Sequence, residues 1–228
     1  MKETLVIIPA RGGSKGVKNK NIKLLNGKPL IDYSIDFALN FFEQKNICIS
    51  TDSDDIIELA AKKIVIPFKR PEALSNDLAS TNDVINHAID YYKRNTDLKF
   101  NKILLLQPTS PIRDKQDLIK LYKLYSKDVD MVLSVCKSKV TPDYGLYVES
   151  QNQFLSKTTS KKTTRRQDSE AFFYANGSMY LIRYAEKKIK LSEIQRLKKL
   201  EMSLYYSVDI DEQYDWEIAE HLISNIIE

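Results

Sequence analysis

Cysteine and histidine are nearly absent from this chain, two of each in 228 residues. Two cysteines cannot build a disulfide framework or a zinc knuckle, and Cys48 and Cys136 each sit in a short apolar run that reads as buried strand. No HExxH zinc site exists, and a Ser-His-Asp triad would have to draw on His87 or His221. His87 falls inside the helical pattern Val84, Ile85, Ala88, Ile89, Tyr92, and His221 inside the last helix, where packing or surface roles are expected. Long apolar runs are missing too. The segment ending at Pro9 is too short for a membrane span and lacks a cleavable-signal pattern, so a cytoplasmic chain with no membrane contact is expected. Nor does one sign of charge dominate: 35 basic against 31 acidic residues leave only +4, too mild an excess to argue for nucleic acid. Glycine is scarce, with six in all, which makes their placement informative.

What is present is ordinary globular composition, 43% hydrophobic and 29% charged. A chain this long can withdraw about 70% of its unfolded surface from water, enough for one large domain or a domain with an appendage. Apolar runs alternate with amphipathic segments. Strands are predicted at Leu5–Ile8, Ile47–Ser50, Ile64–Ile66, Ile103–Leu106 and Met131–Val135. Helices are predicted over Leu30–Phe42, 81–94, the stretch marked by Leu118, Leu121, Tyr122 and Tyr125, and the C-terminal segment with Trp216, Ala219, Leu222, Ile223 and Ile226 on one side. Continuous apolar strands imply burial on both faces, hence a mostly parallel sheet flanked by helices. Ligands of such sheets bind beyond the carboxyl ends of the strands, which singles out the loops after Ile8, Leu106 and Val208. Residues 138–171 break the pattern. They are polar, with aromatic spots at Tyr144, Tyr147 and Phe154, and read as a protruding arm inserted into a domain formed by 1–137 and 172–228.

Three of the six glycines fall in one loop after the first strand, Pro9-Ala10-Arg11-Gly12-Gly13-Ser14-Lys15-Gly16-Val17-Lys18-Asn19-Lys20-Asn21. Glycine lets backbone approach a ligand and aim N–H groups at it, and four basic residues add positive charge, a combination suited to a polyphosphate. The spacing is neither a Walker loop nor GxGxxG. A second feature is Val208-Asp209-Ile210-Asp211. In an extended segment i and i+2 share a side, so the two carboxylates can hold one hard cation such as magnesium, or Asp211 can cap the last helix. Two proline-stiffened polar loops complete the set, Gln107-Pro108-Thr109-Ser110-Pro111-Ile112-Arg113 and Arg70-Pro71 through Asp77. Together they point to metal-assisted phosphate chemistry.

The run Ile7-Ile8-Pro9-Ala10-Arg11-Gly12-Gly13-Ser14-Lys15-Gly16 with Lys20-Asn21 resembles the signature of the acylneuraminate cytidylyltransferases. Leu105 through Arg113, Arg70-Pro71 with Asp77 to Thr81, Asn176-Gly177 before Tyr180, and Asp209-Ile210-Asp211 resemble the rest of that family's pattern, in the same order. The resemblance implies a GT-A-like nucleotidyltransferase fold and the reaction of CTP with a nine-carbon 2-keto acid sugar to give the CMP-sugar and pyrophosphate. By the same resemblance Arg11, Gly12, Gly13, Ser14, Lys15, Lys20, Asn21, Arg70 and Ser80 would bind the nucleotide. Thr81, Gln107, Tyr180 and Arg166 would face the sugar, and Asp209 and Asp211 would hold magnesium. Arg11, Lys20, Asp209 and Asp211 are the expected catalytic set, and a homodimer built through the arm, with Arg166 reaching a shared site, is the expected assembly. The chain departs from the family at Tyr174 and Glu170, where arginine and proline are usual, and at Leu191-Ser192-Glu193, where an aromatic pair is usual. The sugar is therefore open among sialic, legionaminic, pseudaminic and related acids. The alternatives are a cytidylyltransferase for KDO or another acidic sugar, and a non-catalytic anion- or nucleic-acid-binding protein.

Overall fold

The computed structural model describes residues 1–228 except 15, 77, 78, 160–164, 166–169, 227 and 228. Lys15, Asp77, Lys161, Lys162 and Arg166 therefore lie outside the described residues. The first half alternates strand and helix: β1 (Thr4–Pro9), a small hairpin of β2 (Leu24–Leu25) and β3 (Lys28–Pro29), α1 (Leu30–Leu39), β4 (Ile47–Ser50), α2 (Asp54–Ala61), α3 (Thr81–Asn95), β5 (Lys102–Leu106), α4 (Lys115–Leu124) and β6 (Met131–Lys137). There follow β7 (Tyr147–Glu149), β8 (Leu155–Lys157), β9 (Phe173–Arg183), β10 (Leu197–Glu201) and α5 (Gln213–Ile226).

Six strands form one sheet in the order β10-β6-β9-β5-β1-β4. All run parallel except β9, which is antiparallel to both of its neighbours. The alternation of β1 divides the core. Val6 and Ile8 join a cluster with Ile31, Ile35, Ile47, Ile49, Leu104 and Leu118 on the side of α1, α2 and α4. Leu5 and Ile7 join Cys48, Ile85, Ile89, Ile103 and Leu105 under α3. Three of the helices, α2, α3 and α4, begin where short polar side chains take first-turn amides: Ser53 accepts from Ile56, Ser80 and Asp83 form a reciprocal capping box, and Asp114 accepts from Gln116.

Two segments differ from the sequence-based expectation. Residues 64–66 form no strand. Ile64 is buried, but Val65 is 76% exposed, and Pro67 behind it has no amide to give a ladder. The strand β9, eleven residues long, is not assigned from the sequence, and it runs through Asn176-Gly177, a dipeptide that favours turns. The pair is instead a bulge. Opposite β6, the register steps from Leu133↔Tyr180 to Val135↔Ala175, so a single residue, Ser134, faces four, Asn176–Met179.

Side chains close that bulge. The Ser134 hydroxyl donates to Asn176 Oδ1 at 2.6 Å and accepts from the Met179 amide at 2.8 Å. Asn176 Nδ2 donates to Ser207 Oγ at 2.8 Å, and the Ser110 hydroxyl donates to the Asn176 carbonyl at 3.3 Å. One buried amide therefore ties β6, β9 and the loops at 110 and 207. Among the described residues, no helix is long and apolar enough to cross a membrane. Because these partners are buried, Asn176→Ala should cost about 2–4 kcal/mol of unfolding free energy. A urea midpoint displaced at constant slope checks this, and an unmoved midpoint would show that the bulge holds without the amide.

Candidate active site

The loops singled out in the sequence meet over a third, smaller apolar cluster. Val17 from the glycine loop, Ile112 from the loop after β5 and Ile210 from between the two aspartates pack with Leu25, Leu30 and with Trp216, Ala219 and Ile223 of α5. Each loop contributes one apolar anchor, and its polar neighbours are left facing outward. Residues 207–211 are not a strand, but burial of Ile210 still turns Asp209 and Asp211 away from the core. Asp211 does not cap α5. Asp215 reaches back to accept from the amides of Asp211 and Glu212 at 3.0 and 2.9 Å, and the Asp211 carboxylate faces the Lys20 ammonium instead.

Above this cluster, at the carboxyl ends of β1, β4 and β5, lies a cavity of about 680 Å³. Arg11, Ser14, Lys20, Asn21, Arg70, Thr81, Gln107 and Asp211 line it, together with Gly16 and Thr109. The glycine loop and the acidic loop touch across it. A Cβ on Gly16 would fall 1.9 Å from the Asp211 carbonyl oxygen, so only glycine permits this approach. The mostly buried Lys20 ammonium donates to the Ile210 carbonyl and lies 3.3 Å from Asp211 Oδ1. Asn21 Nδ2 donates to the Arg11 carbonyl at 2.9 Å, fixing the backbone from which the Arg11 side chain projects. Arg70 is buried, donating from Nε to Ser50 Oγ at 3.1 Å and from Nη2 to the Ser50 carbonyl. Burial pushes its pKa down, while the Asp52 charge opposes that.

Asp209 stands behind the cavity beside Gly177, whose positive φ of 76° brings backbone close to the carboxylate. Burial pushes its carboxyl up, Thr109 pulls it down, the neighbouring Asp211 charge raises it and Lys20 opposes. Its Oδ1 is buried with no hydrogen-bond partner among the described residues. A carboxyl group with an orphaned oxygen, two residues from a second one, fits a hard divalent cation that takes one or two carboxylates and completes its shell with water and phosphate. Among the described residues no cluster of three or more acidic, histidine or cysteine groups forms.

Other sequence-predicted residues take different places. Ser80 spends its hydroxyl on α3, donating to Asp83 Oδ2 at 2.6 Å. The Gly12 amide is directed to Asp52 Oδ1 at 3.0 Å. Tyr180 lies one strand over, opposite Leu105, and packs with Leu133 and Leu191 on the α3 side of the sheet. Its phenol is raised by burial and by Asp209. Two contributors escaped the sequence reading. Arg113 sits in a quoted motif without a role there. Its guanidinium donates to Ser34 Oγ at 3.0 Å, to the Gln107 carbonyl at 2.5 Å and to the Ser178 carbonyl at 3.2 Å, cross-bracing α1, the β5 loop and the bulge. Asp52 follows β4 and reads in sequence only as part of the acidic start of α2.

The chain matches the family model described as cytidylyltransferase over residues 5–222. It is 31% identical over 227 residues to an N-acylneuraminate cytidylyltransferase of Streptococcus agalactiae serotype V, covering 96% of this chain and 53% of that protein; the chain thus spans about half the length of this relative. It is 32% identical over 225 residues to a CMP-N,N'-diacetyllegionaminic acid synthase of Legionella pneumophila, covering 96% and 95% of the two chains. In structure it resembles a CMP:2-keto-3-deoxy-manno-octonic acid synthetase complexed with CTP, with a TM-score of 0.68, 17% identity and 99% and 100% coverage. That likeness shows a shared fold.

The contact at Gly16 makes a stability prediction. Gly16→Ala must push the two loops apart and is expected to destabilise the fold by about 1–3 kcal/mol. Gly13→Ala, whose Cβ meets nothing within 4 Å, should leave the thermal midpoint in place. Equal midpoints for the two variants would refute the close approach.

Proposed function

The chain belongs to the cytidylyltransferase family, and from that premise we propose that it transfers CMP from CTP to the anomeric hydroxyl of a nine-carbon 2-keto acid sugar, releasing pyrophosphate. The observation that carries this reading is the single cavity that gathers Arg11, Lys20, Asn21 and Arg70 against Asp211, with Asp209 behind it. In the step itself the sugar oxygen attacks the α-phosphorus. The bond from that phosphorus to the bridging oxygen breaks, pyrophosphate leaves with the electron pair, and the hydroxyl proton passes to solvent. Charge grows on the leaving oxygens, where Arg11 and Lys20 lower its cost from fixed positions. Arg70, held by Ser50, packs beside the base. Asp209 and Asp211 would hold a magnesium ion, which would supply Lewis-acid stabilisation of the phosphate charge. Thr81 and Gln107 meet the acidic sugar at the far side, towards Tyr180. The two carboxylates argue against a bare anion- or nucleic-acid-binding role, since without a cation they repel phosphate. A reaction that draws on CTP also suits the cytoplasm.

Residues 138–171 serve as the arm. Within it, among the described residues, β7 and β8 pair only with each other, and Tyr147, Val148, Phe154 and Leu155 are 52–75% exposed. An isolated two-stranded hairpin is marginal in water, and an apolar ribbon of this kind calls for a covering surface. A second copy of the chain supplies it. Sedimentation of the native chain should give a dimer, and the paired change Phe154→Asp with Leu155→Asp should give a folded monomer; a monomeric native chain refutes the arm.

Pyrophosphate release measured with CTP and magnesium chloride against a panel of nine-carbon keto acids tests the reaction, with KDO and a hexose 1-phosphate as controls. Release is expected with a nonulosonic acid and not with the hexose 1-phosphate. Asp209→Asn should lower it by about a hundredfold or more. Because burial raises the folded pKa of Asp209, its ionised form disfavours folding at neutral pH. The same variant should therefore unfold no more easily than the native chain. Failure of CTP to bind would overturn the reading of the glycine loop.

A further inference from the structure

The exit of β4 is a junction for both loops that wall the nucleotide side of the cavity. The Ala10 amide donates to the Ser50 carbonyl at 2.9 Å, and the Arg70 amide to the Thr51 carbonyl at 2.6 Å. The next residue, Asp52, accepts the Gly12 amide at 3.0 Å through Oδ1. The loop lies flat against this junction, since a Cβ on Gly12 would come within 2.9 Å of Ser53 Cβ. Gly12 directly follows Arg11, whose carbonyl is held on the other side by Asn21. The peptide that joins Arg11 to Gly12 is thus pinned at both edges by two side-chain straps, Asp52 on its N–H and Asn21 on its carbonyl. Asp52 also faces Arg70 and offsets its repulsion with Arg11.

We infer that Asp52 is a positioning residue for nucleotide binding: its carboxylate oxygen holds the Gly12 amide and so sets the Arg11 side chain over the cavity. This rests on the reading of the cavity as a CTP site. A carboxylate beside a polyphosphate has an unfavourable through-space effect, so if Asp52 were merely an anion in the cleft its removal would tighten CTP binding. A strap predicts the opposite.

Titration calorimetry of the full chain with CTP and magnesium chloride, in the absence of sugar, separates the cases. The native chain must bind; if it does not, the reading of the cavity fails and not this inference. Asp52→Ala should bind about tenfold more weakly, the scale of one lost hydrogen bond. Asp52→Asn keeps an oxygen in place for the Gly12 amide and should recover most of that loss. Asp52→Glu keeps the charge but moves the oxygen by a methylene, and should bind more weakly than the Asn variant. This last comparison does not depend on the Ala variant folding. Binding by Asp52→Ala as tight as the native chain, or tighter, overturns the inference. So does a Glu variant that binds more tightly than the Asn variant.

Discussion

Burial of Ile210 with Val17 and Ile112 is the contact on which the cleft depends. Three loops that are far apart in sequence carry the chemistry, and none is held by regular secondary structure. Each offers one apolar side chain to the cluster under Trp216. Burying such a side chain is worth about 1.5–3 kcal/mol, more than the polar contacts above it gain net of water. The polar groups are thereby aimed as a by-product of apolar packing. Two contacts refine the result. Gly16 lets the glycine loop meet the Asp211 carbonyl, and the Lys20 ammonium joins the same stretch of backbone from the other side. A cation and a pair of anions are thus fixed face to face, which favours a ligand bringing both a triphosphate and a metal.

How much of this was legible in the sequence follows from which forces are local. The β1, β4, β5 and β6 strands are apolar runs covered on both faces of the sheet, and the apolar pattern alone finds them. The motif loops stand out because glycine and proline are scarce and clustered. What was hidden depends on contacts across the chain. The β9 strand contains Asn-Gly, a local turn signal, but the Asn176 amide is claimed by Ser134 and Ser207, and tertiary bonding turns the signal into a bulge. Residues 64–66 show the reverse error, an apolar run with no ladder because Pro67 follows and Val65 faces water. Asp52 was invisible because in sequence it merges with the acidic first turn of α2, where a helix dipole explains acids without any further role.

The charged groups of the cleft are arranged against stability. Asp209 is buried with an orphaned oxygen, Arg70 is buried beside Arg11, and burial drives the pKa of Asp209 up and that of Arg70 down. A buried charge that lacks full pairing costs several kcal/mol that packing elsewhere must offset. The offset is visible in the three apolar clusters, whose strands are buried on both faces. Arg113 adds to the cost, for its guanidinium is spread over two carbonyls and a hydroxyl, and burial lowers its pKa while the Asp209 charge opposes. That choice matters for the chemistry. A carboxylate partner for Arg113, or a second cation on Asp209, would settle the local charge within the protein and leave less for a ligand to gain. Because these groups stay incompletely matched, the magnesium and triphosphate of the proposed reaction would complete them on binding. The free energy withheld from folding is then available for holding the nucleotide in the geometry that the transfer requires.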